Sequence, residues 1–439
     1  MIERDSKRDI AIVLGVRDRT SSTSDAYKLE EAIGLTAALG ADIIYSESVA
    51  VRQVNVANYF GGGKIDEIKS QITLNDANIV IVNTALSPIQ QRNLERSWKA
   101  KVIDRTGLIL EIFGLRAATK EGRIQVEMAR LTYERSRLVR TWTHLERQRG
   151  GQGFLAGPGE TQIESDRRVL NDKIAKLRRE LDAIRKRRHL QRKARQRAPE
   201  RIVALVGYTN AGKSTLFNIL TQADVFAQDM LFATLDTTHR ILPLPNGKPA
   251  VLSDTVGFIA DLPTDLITAF RATLEEVKEA DVLLHVRDMS DPLSEDHKQN
   301  VLDVLDMIEA GPEHDQVTIE VWNKIDLLNS TDREILFESA KTLSSEDDIE
   351  TVFPISCMNQ DGIETLREGI EAALSVKDDI VSVSISPKDY GIRAWLHQNG
   401  QVLAEETEDN GLCHMQVQLS DADAGKFRSR YPQVLSANS

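Results

Sequence analysis

The sequence is poor in cysteine, with only Cys357 and Cys413 in 439 residues. Two thiols so far apart build no disulfide framework and match no clustered zinc spacing, which points to a reducing, cytoplasmic setting. Long apolar runs are missing as well. No stretch approaches the 18 residues that a membrane-spanning helix needs, and the N-terminal MIERDSKRD lacks the apolar core of a secretion signal. What is present is ordinary for a soluble globular chain: 41% hydrophobic and 28% charged residues. At this length about three domains are expected.

Positive charge is also short, and the net charge is −12. Taken whole, that disfavours nucleic acid as a partner. Its distribution reverses the inference. Residues 1–119 hold 15 basic and 15 acidic side chains, residues 120–201 hold 23 and 11, and residues 202–439 hold 17 and 41. The three stretches therefore carry 0, +12 and −24.

The first stretch alternates strand-like and helical runs, with short strands at Ile10–Leu14, Asp42–Tyr45, Ile79–Asn83 and Lys101–Ile103 and a helix near Tyr27–Leu39. This predicts a small α/β domain over 1–119. Gly61, Gly62, Gly63 and Lys64 suggest a phosphate loop, but the spacing is wrong and no Ser or Thr follows the lysine. A turn opening the helix KIDEIK is the better reading. Ser87 followed by Pro88 predicts a capped helix start.

From Arg123 the pattern becomes heptads. Ile124, Met128, Leu131, Arg135, Leu138, Trp142 and Leu145 follow alternating steps of 4 and 3, as do Ile163, Arg167, Leu170, Ile174, Leu177, Leu181 and Ile184. Between the two runs lies GGQGFLAGPGE, residues 150–160, with five glycines and a proline. A break so short folds the two helices into an antiparallel hairpin over 120–199 with a glycine-rich tip at 150–159 and arms of roughly 35–40 Å. A zipper-type dimer arm and a solvated charged helix are the alternatives; arginines at heptad positions favour the hairpin. Residues 164–201 alone carry 15 Lys or Arg against 6 acids, up to a boundary at Pro199. Like charges repel along a helix, so a polyanion partner is the economical reading. Glycines at the tip let backbone approach phosphates, and Arg147, Arg149, Arg167 and Arg168 supply charge beside them.

After an apolar run at Arg201–Val206 comes Gly207-Tyr208-Thr209-Asn210-Ala211-Gly212-Lys213-Ser214-Thr215 and then the helical LFNILT. This is the GxxxxGK[ST] loop in the strand–loop–helix setting it requires. Backbone N–H groups and the helix N-terminus are expected to hold phosphates, with Lys213 on the β and γ oxygens and the Ser214 hydroxyl on magnesium. Base identity comes from Asn323-Lys324-Ile325-Asp326 after a strand at Thr318–Val321. A carboxylate there accepts both the ring N1–H and the exocyclic amine of guanine, a donor pair that adenine lacks. Ser356 and Cys357 follow the strand Val352–Ile355, where a backbone N–H meets the guanine carbonyl. Asp254-Thr255-Val256-Gly257, after a strand at Ala250–Leu252, reads as the second switch, with Asp254 holding magnesium through water and Gly257 N–H on the γ-phosphate. Phe232-Ala233-Thr234-Leu235-Asp236 reads as the first, with Thr234, Thr237 and Thr238 as candidates to close on the metal.

Phe258 stands where many GTPases carry a glutamine that orients the attacking water. Phenylalanine has no group to do so, which predicts slow unassisted hydrolysis. Asn210 either helps place a monovalent cation such as K⁺ beside the phosphates or caps the loop; the sequence leaves both open. Beyond Val376, alternating Val381, Val383 and Ile385, a helix YGIRAWLHQNG, strands at 401–406 and 412–419 and a helix from Asp421 predict a small α/β appendage, 377–439, with no catalytic signature.

The segments LERQRGGQGFLAGPGETQIESDRR, ALVGYTNAGKSTLFN, MLFATLDTT, LSDTVGFIADLP and WNKIDLL together resemble the HflX GTPase family, in the Obg-HflX group of translational GTPases. The resemblance runs through most of the chain and is weakest over the last 60 residues. It implies an α/β fold: a Ras-like P-loop GTPase domain, 200–376, preceded by the small α/β domain and the helical hairpin and followed by a small α+β domain. It also implies hydrolysis of GTP to GDP and phosphate with Mg²⁺, slow alone and stimulated by the ribosome. It puts Thr234 first among the threonines and makes Ser214 and Thr234 the metal ligands, with Lys213, Thr234 and Gly257 at the reacting phosphate. The expected partner is the large ribosomal subunit and its RNA, bound through 120–201 by a cytoplasmic monomer that splits stalled ribosomes under stress. An RNA-binding module with a nucleotide-sensing GTPase domain, not acting on ribosomes, is the alternative.

Overall fold

The computed structural model describes residues 8–17, 22–142, 158–195, 201–222, 231–232, 237–245, 247, 249–260, 274, 276–314, 316–344, 351–376, 378–408 and 410–432. Most of the hairpin tip with Leu145, Arg147 and Arg149, the boundary at Pro199, and Ala233, Thr234, Leu235 and Asp236 lie outside the described residues.

The N-terminal unit is a four-stranded parallel sheet in the order β2-β1-β3-β4, made of β1 (Ile10–Arg17), β2 (Asp42–Ala50), β3 (Ile79–Val82) and β4 (Lys101–Asp104). Alternation decides which helix covers which face. Ile12, Leu14, Val80 and Val82 point to α2 (Gly62–Asn75) and α3 (Pro88–Trp98), whereas Val13, Ile79 and Ile81 point to α1 (Ser22–Ala38) and α4 (Arg105–Arg116). The glycine run opens α2, with Gly61 as its cap. Lys64 is taken up by Glu47 at 2.6 Å and Glu67 at 2.8 Å, which leaves it no phosphate role. Ser87 and Gln90 form a reciprocal capping box at the start of α3.

Two long helices follow, α5 (Lys120–Trp142) and α6 (Pro158–Arg195). Arg135 donates to Asn171 across them at 3.0 Å, and Ile124, Met128 and Leu131 share a core cluster with Ile174 and Leu181, so the helices run antiparallel. Helix α6 already begins at Pro158, within the span 150–159 expected for the tip. Proline suits a first helical turn, where its fixed φ is helical and its missing N–H is not needed. At 38 residues α6 spans about 57 Å rather than 40. Nor is the hairpin free-standing. Tyr133 donates to the buried Asp104 at 2.7 Å and Arg137 reaches the same carboxylate at 3.1 Å, seating α5 on the end of β4.

The next sheet has six strands in the order β10-β9-β8-β5-β7-β6, parallel except for the edge strand β6. It comprises β5 (Ile202–Gly207), β6 (Thr238–Pro243), β7 (Pro249–Asp254), β8 (Val282–Asp288), β9 (Val317–Asn323) and β10 (Val352–Pro354). Helices α7 (Lys213–Thr221) and α10 (Ile363–Ser375) cover one face and α8 (Ser294–Met307) the other, while α9 (Ser330–Ser344) packs near β10 through Leu336 and Ala340. The α8 face continues into the N-terminal unit through Phe113 and Phe232 as one core. Last comes an antiparallel sheet in the order β11-β13-β12, made of β11 (Asp379–Ile385), β12 (Gln401–Thr407) and β13 (Cys413–Leu419), with α11 (Tyr390–Asn399) and α12 (Asp421–Arg430) packed on one side through Leu396 and Phe427.

Candidate functional site: a phosphate loop and its guanine-side loops

The phosphate loop lies where parallel β5 ends and α7 begins, so N–H groups of the first helical turn open toward the loop. Gly212 sits at φ +97°, and a Cβ there would overlap the Asn323 amide. No other residue fits that bend. The buried Lys213 ammonium donates to the carbonyls of Gly207 at 2.9 Å and Tyr208 at 2.7 Å. Burial pulls its pKa down to about 8, opposed by the charge of Asp254. The Ser214 hydroxyl donates to Asp254 at 2.9 Å, which brings two hard oxygen donors together beside the first turn of α7. That donor set fits Mg²⁺, which favours hydroxyl, carboxylate, phosphate and water oxygens. Among the described residues no cluster of three or more His, Cys, Asp or Glu forms a metal cage, and an ion held mainly by substrate phosphates does not need one.

The segment after Asp254 is docked on the loop by backbone pairing. Thr209 N–H donates to Phe258 C=O at 2.7 Å and Phe258 N–H to Gly207 C=O at 3.1 Å. Gly257 is thereby brought so close that a Cβ on it would lie 3.1 Å from Lys213 Nζ. The Thr255 hydroxyl donates to Leu205 C=O at 2.5 Å, and Val256 and the Phe258 ring are buried in the core.

On the guanine side, Asn323 ties two loops together. Its amide donates to Ala211 C=O at 2.9 Å and its carbonyl accepts from Cys357 N–H at 3.1 Å. Lys324 adopts φ +66° and pairs with Asp288 at 2.6 Å, and Ile325 is buried. Ser356 donates to one Asp326 oxygen at 2.6 Å, which fixes the carboxylate plane. Both candidate N–H groups on this loop have acceptors, Ser356 N–H on Asp361 C=O at 3.1 Å and Cys357 N–H on the Asn323 side chain. Burial pushes the Cys357 thiol up to about 12 and leaves it neutral.

Not every residue grouped by sequence lies at the loop. Phe232 stacks edge-to-face on Phe113 at 4.7 Å, and its ring belongs to the core shared with α4. Thr238 begins β6 in register with Asp254, with Thr237 just before it. Asn210 is exposed at φ +62°, and Thr215 lies in the first turn of α7. Sequence reasoning missed the contributions of the N-terminal unit. Tyr208 stacks on His297 at 3.7 Å and donates to Glu31 at 2.5 Å, while Ala260 N–H donates to the Tyr208 hydroxyl at 2.8 Å. Arg105 pairs with Glu31 and donates to Ala260 C=O, both at 2.8 Å. Strand β8 and Asp288 were missed too, although the apolar run at 282–286 is a strand signal.

Three family descriptions match the chain in series: "GTP-binding GTPase N-terminal" over residues 26–114, "GTP-binding GTPase Middle Region" over 116–195 and "50S ribosome-binding GTPase" over 202–324. A protein of Magnetococcus marinus named GTPase HflX is 44% identical over 98% of this chain and 96% of its own length. One of Escherichia coli with the same name is 39% identical over 94% of each. The crystal structure of SsGBP in complex with GDP is 27% identical, with a TM-score of 0.50, over 84% of this chain and 98% of that one.

Proposed function

Because the chain belongs to the HflX GTPase family, and so binds and hydrolyses GTP, we propose that it is a cytoplasmic, monomeric factor that binds the large ribosomal subunit through residues 120–201 and dissociates stalled ribosomes under stress. The observation that carries this reading is the charge map: +12 on the hairpin against −24 beyond it. Arg167, Arg168, Lys173, Lys176, Arg178 and Arg179 are exposed along α6. Ribosomal RNA attracts such a helix and repels the acidic half wherever it is not docked, which favours one orientation over non-specific coating. The working division is a first domain at 1–119, the hairpin at 120–199, the GTPase domain at 200–376 and an appendage at 377–439.

In this reading the Gly207–Thr215 backbone and Lys213 hold the phosphates, Gly257 N–H meets the γ-phosphate, and Asp326 with Cys357 N–H selects guanine. Ser214, Thr234 and Asp254 would hold Mg²⁺ there, and the ion would supply positive charge against the charge that develops on the phosphates. With the Phe258 ring buried in the core, no side chain at that position orients water, so unassisted turnover is slow and the ribosome accelerates it. Purified large subunits should raise GTP turnover about tenfold or more, and exchanging residues 150–159 for a short neutral linker should abolish that gain. No stimulation of the native chain would remove the ribosomal reading. The exposed Asn210 supports a K⁺ beside the phosphates; turnover should then be several-fold higher in potassium than in sodium, and equal rates leave Asn210 as a loop cap.

A further inference from the structure

We propose that Thr209 is a further catalytic residue of GTP hydrolysis, its hydroxyl accepting a hydrogen bond from the attacking water in the role that Phe258 cannot fill. The inference rests on the GTPase reading above. Thr209 is 7% exposed, and its Oγ1 is buried with no hydrogen-bond partner among the described residues. Buried hydroxyls are almost always paired, so this one calls for a partner from the reaction. Two neighbouring hydroxyls are committed, Ser214 to Asp254 and Thr255 to Leu205 C=O.

Location supplies the rest. The backbone pairing of Thr209 with Phe258 sets the Thr209 side chain against Gly257. A Cβ on Gly257 would lie 2.8 Å from Thr209 Cγ2 and 3.1 Å from Lys213 Nζ. The Thr209 methyl, Gly257 and the Lys213 ammonium thus lie together where the γ-phosphate is expected, and one staggered turn about χ1 puts the hydroxyl in the methyl's place. Thr209 also borders a cavity of about 740 Å³ lined by Tyr208, Asn210, Ala260 and His285. The Phe258 ring, 2% exposed, is packed with Val256 and Ile259 and faces none of this space.

In the step, the water oxygen forms a bond to the γ-phosphorus. The bond from phosphorus to the β–γ bridging oxygen breaks, and its electron pair leaves on GDP. One water hydrogen stays on the transferred oxygen and the other moves to a γ-phosphate oxygen, so the product is dihydrogen phosphate. Thr209 neither gains nor loses a proton overall; its oxygen orients the nucleophile.

The test compares Thr209→Val, which keeps the shape and deletes the hydroxyl, with Thr209→Ser, which keeps the hydroxyl. Each full-length variant is assayed for turnover at saturating GTP, for affinity to GDP and a non-hydrolysable GTP analogue, and for trapping of GDP with aluminium fluoride. Thr209→Val should lower kcat about tenfold, leave both affinities within about threefold and lose the trapped complex; Thr209→Ser should stay within about threefold of native in all three. Native kcat and trapping in Thr209→Val would overturn the assignment. So would an unchanged kcat with selectively weakened analogue binding, because the hydroxyl would then hold ground-state phosphate. Loss of GDP binding in both variants would mark Thr209 as structural and overturn it as well. A native chain that hydrolyses no GTP would instead overturn the reading on which the inference rests.

Discussion

Changing Asp326 to Asn should lower GTP affinity roughly 10²–10⁴-fold and make xanthosine triphosphate the better ligand. The proposed carboxylate takes two N–H groups of guanine, and two charge-assisted hydrogen bonds at about 1.5–3 kcal/mol each correspond to that range. Xanthine offers a carbonyl in place of the exocyclic amine, which an amide N–H satisfies. Ser356 donates to Oδ1 at 2.6 Å, so an asparagine that keeps its oxygen there turns its NH₂ toward the base. Competition binding with the two nucleotides reads the outcome directly. Equal weakening of both would assign Asp326 a structural part in the loop instead.

Strand–loop–helix at 202–221 was legible because everything that defines it lies within one continuous stretch of 20 residues: a buried apolar run, glycines where backbone crowds, and a helical run after Lys213. The glycines at 61–63 were separable from it for the same reason, and Lys64 has carboxylate partners close at hand. The hairpin was legible from heptads, but its seat was not. Tyr133 and Arg137 lie off the heptad positions and bind Asp104, which periodicity does not reveal. The contacts of Tyr208 with Glu31 and of Arg105 with Ala260 span 177 and 155 residues. No local pattern encodes which face of α1 meets a loop that far away. Phe232, read with residues 233–236 as the first switch, also packs its ring edge-to-face on Phe113, a contact across 119 residues of chain that no local pattern encodes.

Acid should destabilise the fold in two separable steps, the first set by His285 on β8. This imidazole is 2% exposed, and burial, seconded by Arg287, Lys298 and Lys213, pulls its pKa down to about 4 against a pull upward from Glu320. An unfolded histidine titrates near 6.5, so between pH 6.5 and 4 the unfolded chain binds the extra proton and stability falls as pH falls. The whole step is worth roughly 3–4 kcal/mol at about 1.4 kcal/mol per unit, and it is complete once pH drops below 4. Glu320 sets the second step. Burial works against its ionisation, but hydrogen bonds from Lys298 and Trp322 and the charge of Arg287 hold its carboxyl at about 2. Its contribution is present above pH 4.5 and disappears as pH falls through 2. Denaturant unfolding of the native chain and of His285→Gln at pH 7, 5.5 and 4.2 separates the steps. The native chain should lose most of its first-step stability by pH 4.2, whereas the variant, which lacks the imidazole, should lose about 3 kcal/mol less over the same range. Parallel losses in the two proteins would place the acid sensitivity elsewhere, in the carboxylate-rich surface of the C-terminal half.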